Sequence, residues 1–259
     1  MTDGPAGSRD IGHEIGYDGV PARELATRLG VPRCVTLGVT SSTLDVAHAL
    51  GEAGAPGGTL VLADRQTAGR GRLGRRWESP AGAGVWLTLL ERSVDVTAIG
   101  VLAIRVGLAA APVLDELAPD PVRLKWPNDL HLRDGKLAGV LCEARWHGSS
   151  LGWVAVGMGV NVSSAAHEGA ATLRPGVTRV AVLEALVPAL RRAAALRAEL
   201  TEAELDAYAA RDMAVGRRCV APVAGNVAGV ARDGALLVLT DDGGTRRAHG
   251  GSLIFEEAR

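Results

Sequence analysis

Gln66-Thr67-Ala68-Gly69-Arg70-Gly71-Arg72-Leu73-Gly74-Arg75-Arg76-Trp77 places four arginines within seven residues of a chain whose formal net charge is −1. No apolar period of two or 3.6 runs through the stretch, so it reads as a loop. Its glycines let the backbone turn sharply and approach a ligand closely. Guanidinium forks match carboxylate and phosphate oxygens two at a time. The combination suits a site that gathers several negative charges, such as a nucleotide triphosphate beside a carboxylate. A solvated basic loop, or an Arg/Gly segment on RNA, has the same composition. A Walker phosphate loop is excluded, because no Gly-Lys-Ser/Thr follows.

Reading outward, apolar β-type runs at 59–63 and 85–90 flank the loop. Upstream, 35–39 predicts a strand and 43–53 a helix. Residues 21–30 predict a short helix with Pro near its start and Gly at its end. The first 20 residues, rich in Gly and polar groups, are expected to lack order. Downstream, 96–114 is a long apolar helix carrying Arg105 and Pro112. It reads as a buried helix, kinked or broken at the proline, rather than a membrane span.

A short strand at 122–125 runs into Trp126-Pro127-Asn128-Asp129, and Asp134-Gly135 marks a turn before Lys136. Strands are expected at 137–145 and 153–162. Helical spacing returns at 178–200, with Pro188 as a kink or break, and Thr201 with Glu204 forms a capping box for a helix to about 210. The last stretch changes character. β runs at 218–223, 227–231, 235–240 and 245–248 are separated by Asp233-Gly234 and Asp242-Gly243-Gly244 turns, which points to a small separate barrel or sandwich.

A chain of 259 residues, 47% of them hydrophobic, is long enough for one sizeable core and a small second domain. Its near-zero charge argues against a general nucleic-acid or membrane-surface binder. The three cysteines, Cys34, Cys142 and Cys219, form no CxxC pair, and the six histidines show no ligand spacing. Neither a disulfide framework nor a dedicated metal site is expected. Residues 1–10 are polar and lack a secretory core, so a cytoplasmic location is expected.

Four segments carry a family resemblance. Gly69-Arg70-Gly71-Arg72-Leu73-Gly74-Arg75-Arg76-Trp77 resembles the GRGRxGRxW loop of biotin–protein ligases, and Lys125-Trp126-Pro127-Asn128-Asp129-Leu130 their KWPNDL motif. Lys136-Leu137-Ala138-Gly139-Val140-Leu141-Cys142-Glu143 resembles their KLAGILxE segment, and Gly157-Met158-Gly159-Val160-Asn161 their GxGxN strand. Order and spacing match, and the resemblance covers about 35–259. It implies an α+β fold: a mixed β-sheet with packed helices, like the class II synthetases, followed by a small C-terminal SH3-like β-barrel. The expected division is a short extension at 1–33, a catalytic domain at 34–213 and the barrel at 214–259.

The resemblance also implies an activity. Biotin would be activated by ATP, with Mg²⁺, to biotinyl-5'-AMP and passed to a lysine of a biotin carboxyl carrier protein, that of acetyl-CoA carboxylase or a related carboxylase. Arg72, Lys136 and Asp129 are the implied catalytic residues: Arg72 near the α-phosphate, Lys136 holding the carboxylate, Asp129 orienting or deprotonating the acceptor lysine. That lysine needs help, since its free pKa is about 10.4. A surface lysine after a turn and a helix or turn cap are the ordinary uses of Lys136 and Asp129.

Ser42, Thr43, Leu44, Gln66, Arg70, Gly71, Arg72 and Lys136 are the implied biotin contacts. Ser41 and Ser42 also suit a helix N-cap. Leu44 stands where the family usually has Asn, which removes one polar contact. Gly69, Arg70, Arg72, Trp77, Asn128, Gly157 and Asn161 are the implied adenylate contacts, with Trp77 stacking on adenine once the loop closes and Gly159 allowing close approach. The loop at 69–77 is expected to order over the adenylate and exclude water. All five tryptophans lie between Trp77 and Trp153, and core packing alone accounts for Trp86, Trp146 and Trp153 equally well.

The alternative of the same fold is a lipoate or octanoate ligase or transferase, which shares the pocket lysine but not the paired arginine-loop and KWPND signature. Some biotin ligases are repressors with an N-terminal winged helix. Residues 1–33, with one short helix, are too few for that unit, so the monofunctional type is expected, without nucleic-acid or membrane binding, as a monomer or homodimer.

Overall fold

A computed structural model describes residues 16–163 and 169–256. Pro21 and Gly30 bound the first helix, α1 (Ala22–Leu29), as expected. Gly30 adopts φ 63°, which a glycine tolerates, and its N–H returns to the Ala26 and Thr27 carbonyls. Then come β1 (Arg33–Thr40), α2 (Thr43–Glu52) and β2 (Thr59–Gln66). Ser42 caps α2, its side chain accepting from the Leu44 N–H.

After the arginine loop the chain forms β3 (Gly84–Glu91), a 3₁₀ stretch (Val96–Val101) capped by Asp95, and α3 (Leu102–Asp115). There follow β4 (Arg123–Lys125), β5 (Asp129–Leu132), β6 (Gly135–His147), β7 (Ser150–Asn161), α4 (Arg179–Ala194) and α5 (Glu202–Arg211). Thr201 and Glu204 make the expected capping box on α5.

Seven strands form one sheet in the order β1-β2-β3-β7-β6-β5-β4, in which only β1 and β2 run parallel. Period-2 burial sorts the side chains to two faces. Leu60 and Leu62 join the large core with α1, α3 and α4, whereas Val61, Val35 and Ala155 pack against Leu44, Ala47 and Leu50 of α2. One face is therefore fully covered. The other is covered by a single helix, leaving open sheet beside the N-terminus of α2.

Residues 218–255 form a second, five-stranded antiparallel sheet: β8 (Arg218–Ala221), β9 (Gly225–Val230), β10 (Leu236–Leu239), β11 (Thr245–Ala248) and β12 (Ile254–Phe255), in the order β11-β10-β9-β8-β12. It stands where the SH3-like barrel was expected. Its Cys219, Val227, Leu236, Val238 and Leu253 belong to the same apolar cluster as α3 and α4. The buried Trp126 indole donates to the Gly234 carbonyl at 2.9 Å, joining the two sheets.

Several expectations need adjustment. Tyr17 and Val20 bond to each other, and Tyr17 is buried, so part of the stretch expected to lack order is folded; residues 1–15 lie outside those described. Tyr17, Leu25 and Leu29 belong to the main core. Neither proline ends its helix: Pro112 lies inside α3 and Pro188 inside α4. Each sits among fully buried neighbours (Ala110, Ala111 and Leu114; Leu186, Val187 and Leu190), whose burial outweighs the lost helix bond, about 3 kcal/mol. Val96–Asp115 is apolar and long enough to cross a membrane by composition alone, yet Leu102, Val106, Ala110 and Leu114 sit in the main core.

Candidate active site

The open part of the sheet is floored by glycine. Gly139 of β6 pairs with Gly159 of β7, and Leu141 with Gly157. A Cβ on Gly159 would lie 2.4 Å from the Trp77 Nε1, and one on Gly139 3.1 Å from the same indole. Trp77 therefore lies directly on the floor. A Cβ on Gly157 would meet Leu44 at 3.2 Å.

The roof is the arginine loop. After β2 the chain crosses back on itself: the Gly71 N–H donates to the Arg75 carbonyl at 2.7 Å, and the Trp77 N–H to the Gly69 carbonyl at 2.9 Å. Leu73, at φ 57°, marks the exposed tip of this hairpin around a single turn, Arg72–Gly74. Arg75 donates to the Ser252 hydroxyl at 2.8 Å, tying the roof to the C-terminal sheet.

Polar groups converge at the α2 end. The Thr43 N–H and hydroxyl both reach Gln66 Oε1, at 2.8 and 3.2 Å, while Gln66 Nε2 donates to the Ser79 hydroxyl at 2.8 Å. Buried Thr88 donates to the Thr43 hydroxyl at 2.8 Å. On the opposite wall, Lys136 Nζ lies 2.7 Å from Asp129 and 5.1 Å above the Trp77 ring. Asn128 is bonded through both backbone and side chain to Val140.

Among the described residues Arg72 makes no ion pair or side-chain hydrogen bond; it is half-buried, and burial pulls its pKa below the ordinary arginine range, with Asp129 opposing. Lys125, between Asp129 and Phe255, is likewise lowered by burial. The cavity enclosed measures about 180 Å³.

Ser42, Thr43, Leu44, Gln66, Arg70, Gly71, Arg72, Trp77, Asn128, Asp129, Lys136 and Gly157 all line this one cavity. Two expected residues do not. Asn161 is buried behind it and donates to the Lys136 carbonyl at 3.2 Å, bracing the lysine's backbone. Gly69 sits behind the hairpin, where a Cβ would strike the Trp77 carbonyl at 2.4 Å. The Arg70 guanidinium, expected near the biotin carboxylate, is bound to Asp45 and Glu143. Arg75, Arg76, Lys125, Ser252 and Leu253 line the cavity without having been expected. The arginines and Lys125 stand inside the two basic motifs and were findable there; no local pattern marks Ser252.

Residues 37–161 match the model of the biotin/lipoate A/B protein ligase family. The biotin–[acetyl-CoA-carboxylase] ligase of Mycobacterium tuberculosis is 36% identical over 197 residues, covering 68% of this chain and 70% of that protein. The chain belongs to the biotin/lipoate A/B protein ligase family.

Other members share less of their length. The bifunctional ligase/repressor BirA of Bacillus subtilis is 39% identical over 126 residues, which is 48% of this chain but 39% of BirA. The match to the Escherichia coli BirA covers 33% of that protein. The chain thus spans well under two thirds of these ligase/repressors. The biotin protein ligase from Aquifex aeolicus in complex with biotin and ATP superposes with a TM-score of 0.68 at 26% identity, over 88% of this chain and all of the other. The family match spans β1 through β7, the strands that carry the glycine floor, the arginine hairpin and the Lys136–Asp129 pair.

Proposed function

We propose that this family member is a biotin–protein ligase, which activates biotin with ATP and passes the biotinyl group to a lysine of a biotin carboxyl carrier protein. The observation that carries this reading is the meeting, in one cavity, of an unpaired arginine (Arg72), the Lys136–Asp129 pair and an apolar slot ending in the polar cluster of Thr43 and Gln66. The relatives named for biotin, and the neighbour solved with biotin and ATP, support it.

In the first step a carboxylate oxygen of biotin attacks the α-phosphorus. The bond to the β-phosphate oxygen breaks and pyrophosphate leaves. Two anions must approach, so fixed positive charge lowers the barrier most. Arg72 supplies an uncommitted guanidinium in a half-buried setting, where Coulomb attraction is stronger than in water. Lys136 holds the carboxylate, and Asp129 holds Lys136 until substrate arrives.

In the second step the acceptor lysine nitrogen attacks the acyl carbon, AMP leaves and the nitrogen gives up a proton. Asp129 is the carboxylate nearest these groups. The Trp77 ring, lying on the floor glycines, offers a flat apolar surface for the adenylate.

Among the described residues Asp129 is the one carboxylate lining the cavity, and no cluster of three acidic, His or Cys ligands exists. That suits Mg²⁺ held chiefly by the nucleotide's own phosphates, which it would neutralise. Leu44 and the glycines fit a compact thioether ring; a lipoyl chain is the alternative cargo.

The deciding experiment is ATP–pyrophosphate exchange with biotin or with lipoate, followed by transfer of labelled biotin to a carrier domain. Exchange supported by lipoate alone would overturn the proposal.

A further inference from the structure

Arg70 sits in the hairpin but serves a different purpose from Arg72. Its guanidinium reaches Asp45 of α2 through Nη1 and Glu143 of β6 through Nη2, the latter at 3.2 Å. Burial works against the charge on Arg70, and the two carboxylates more than offset it. Behind Glu143 the contacts continue inward. Its Oε2 also lies 2.8 Å from His48 Nε2, and His48 Nδ1 accepts from the Trp153 indole N–H at 3.1 Å.

An indole N–H can only donate, so Nδ1 carries a lone pair and the His48 proton lies on Nε2, directed at Glu143. Trp153 is completely buried, and its ring fills the space above Gly51, where a Cβ would lie 2.5 Å from it. The far end of the chain of bonds is therefore packed into the interior, and its near end is on the hairpin, whose tip is exposed. None of His48, Glu143 or Trp153 lines the cavity, whereas Arg70, Gly71 and Arg72 do.

We propose that Trp153, His48 and Glu143 form a positioning relay that anchors Arg70 and so holds the arginine hairpin over the cavity, setting where Gly71 and Arg72 meet substrate. A fixed tautomer makes each bond directional, so the Glu143 carboxylate cannot swing away without losing its partner. Glu143 and His48 are positioning residues; the hairpin is the group they act through.

The test compares His48→Leu, which keeps bulk alone, with His48→Gln, whose amide can accept from Trp153 and donate to Glu143. The first readout is amide hydrogen exchange of residues 69–77 in the ligand-free protein, which does not depend on the ligase reading. His48→Leu should speed exchange there about tenfold, the scale of a lost hydrogen bond to a charged group, and His48→Gln should restore slow exchange.

The second readout rests on that reading. The KM for biotin should rise about tenfold in His48→Leu with kcat within about twofold, and the rise should disappear in an Arg70→Ala background. A His48→Gln protein as fast-exchanging as His48→Leu would overturn the relay, as would the same KM rise without Arg70. Wild-type protein with no biotin-dependent exchange would refute the ligase reading alone, leaving the hydrogen-exchange comparison to decide the relay.

Discussion

Arg72 differs from Arg70 and Arg75 in making no ion pair or side-chain hydrogen bond among the described residues. Arg70 is held by Asp45 and Glu143, and Arg75 by Ser252, whereas Arg72 faces the cavity with the Asp129 charge favouring it and the Arg75 charge opposing it. A charge left half-buried and unpaired is unfavourable until an anion arrives. Arg72→Ala should therefore lower kcat for biotin-dependent pyrophosphate exchange by about 10²–10³, the scale of a lost transition-state donor, with little loss of thermal stability. Lys136→Ala should act similarly on exchange; full activity in both would remove the proposed roles. Gly159 is the second decisive residue. Gly159→Ala should push Trp77 off the floor, because its Cβ would lie 2.4 Å from the indole and Gly159 itself is held by strand pairing on both sides. The expected result is faster proteolysis within 69–77 at a nearly unchanged melting temperature.

At the level of elements, what could be read from the sequence depended on how local the cause was. The Ser42 cap, the Thr201–Glu204 box and the Gly30 stop are set by residues a few positions apart, and all three were legible. The strand β5 was not, since its four residues, Asp-Leu-His-Leu, are too short an alternation to stand out between Pro127 and the Asp134-Gly135 turn. For Pro112 and Pro188 the sequence left a kink or a break open, and the break is ruled out because tertiary burial, invisible in a local pattern, outweighs the proline penalty. The arginine hairpin was legible as a site but not as a structure: its anchors Asp45, Glu143 and Ser252 lie 25, 73 and 177 positions from their arginines. Ser252→Ala should free the Arg75 end of the roof and raise the nucleotide KM a few-fold, consistent with one modest hydrogen bond of about 1 kcal/mol. Unchanged nucleotide KM would show that the C-terminal sheet does not help close the cavity.

For the whole molecule, the junction between the two sheets carries a titratable strain. Asp212, just after α5, is buried with one carboxylate oxygen unpartnered, the other accepting from the Ala214 N–H at 2.8 Å. Burial pushes its pKa up to about 6, against an ordinary 3.8 for an aspartate carboxyl, with the Ala214 N–H and Arg123 opposing. The folded state therefore holds the proton more tightly than the unfolded chain. This contribution to stability is intact below about pH 3.8 and is lost as pH rises through about 6. Asp212→Asn should raise stability above pH 7 by about 1–3 kcal/mol and change little near pH 4, read as melting temperature against pH. A variant no more stable at pH 7.5 would mean the carboxylate is better solvated than its burial implies.

Because Trp126, Leu253 and the residues of α3 and α4 share one apolar interior, neither sheet can come apart while the other keeps its packing. Heating should give a single calorimetric transition with equal van't Hoff and calorimetric enthalpies. A protein wired in this way has no half-melted form in which the seven-stranded sheet outlasts the C-terminal strands, so heat dismantles the Lys136 and Ser252 walls of the cavity in the same event.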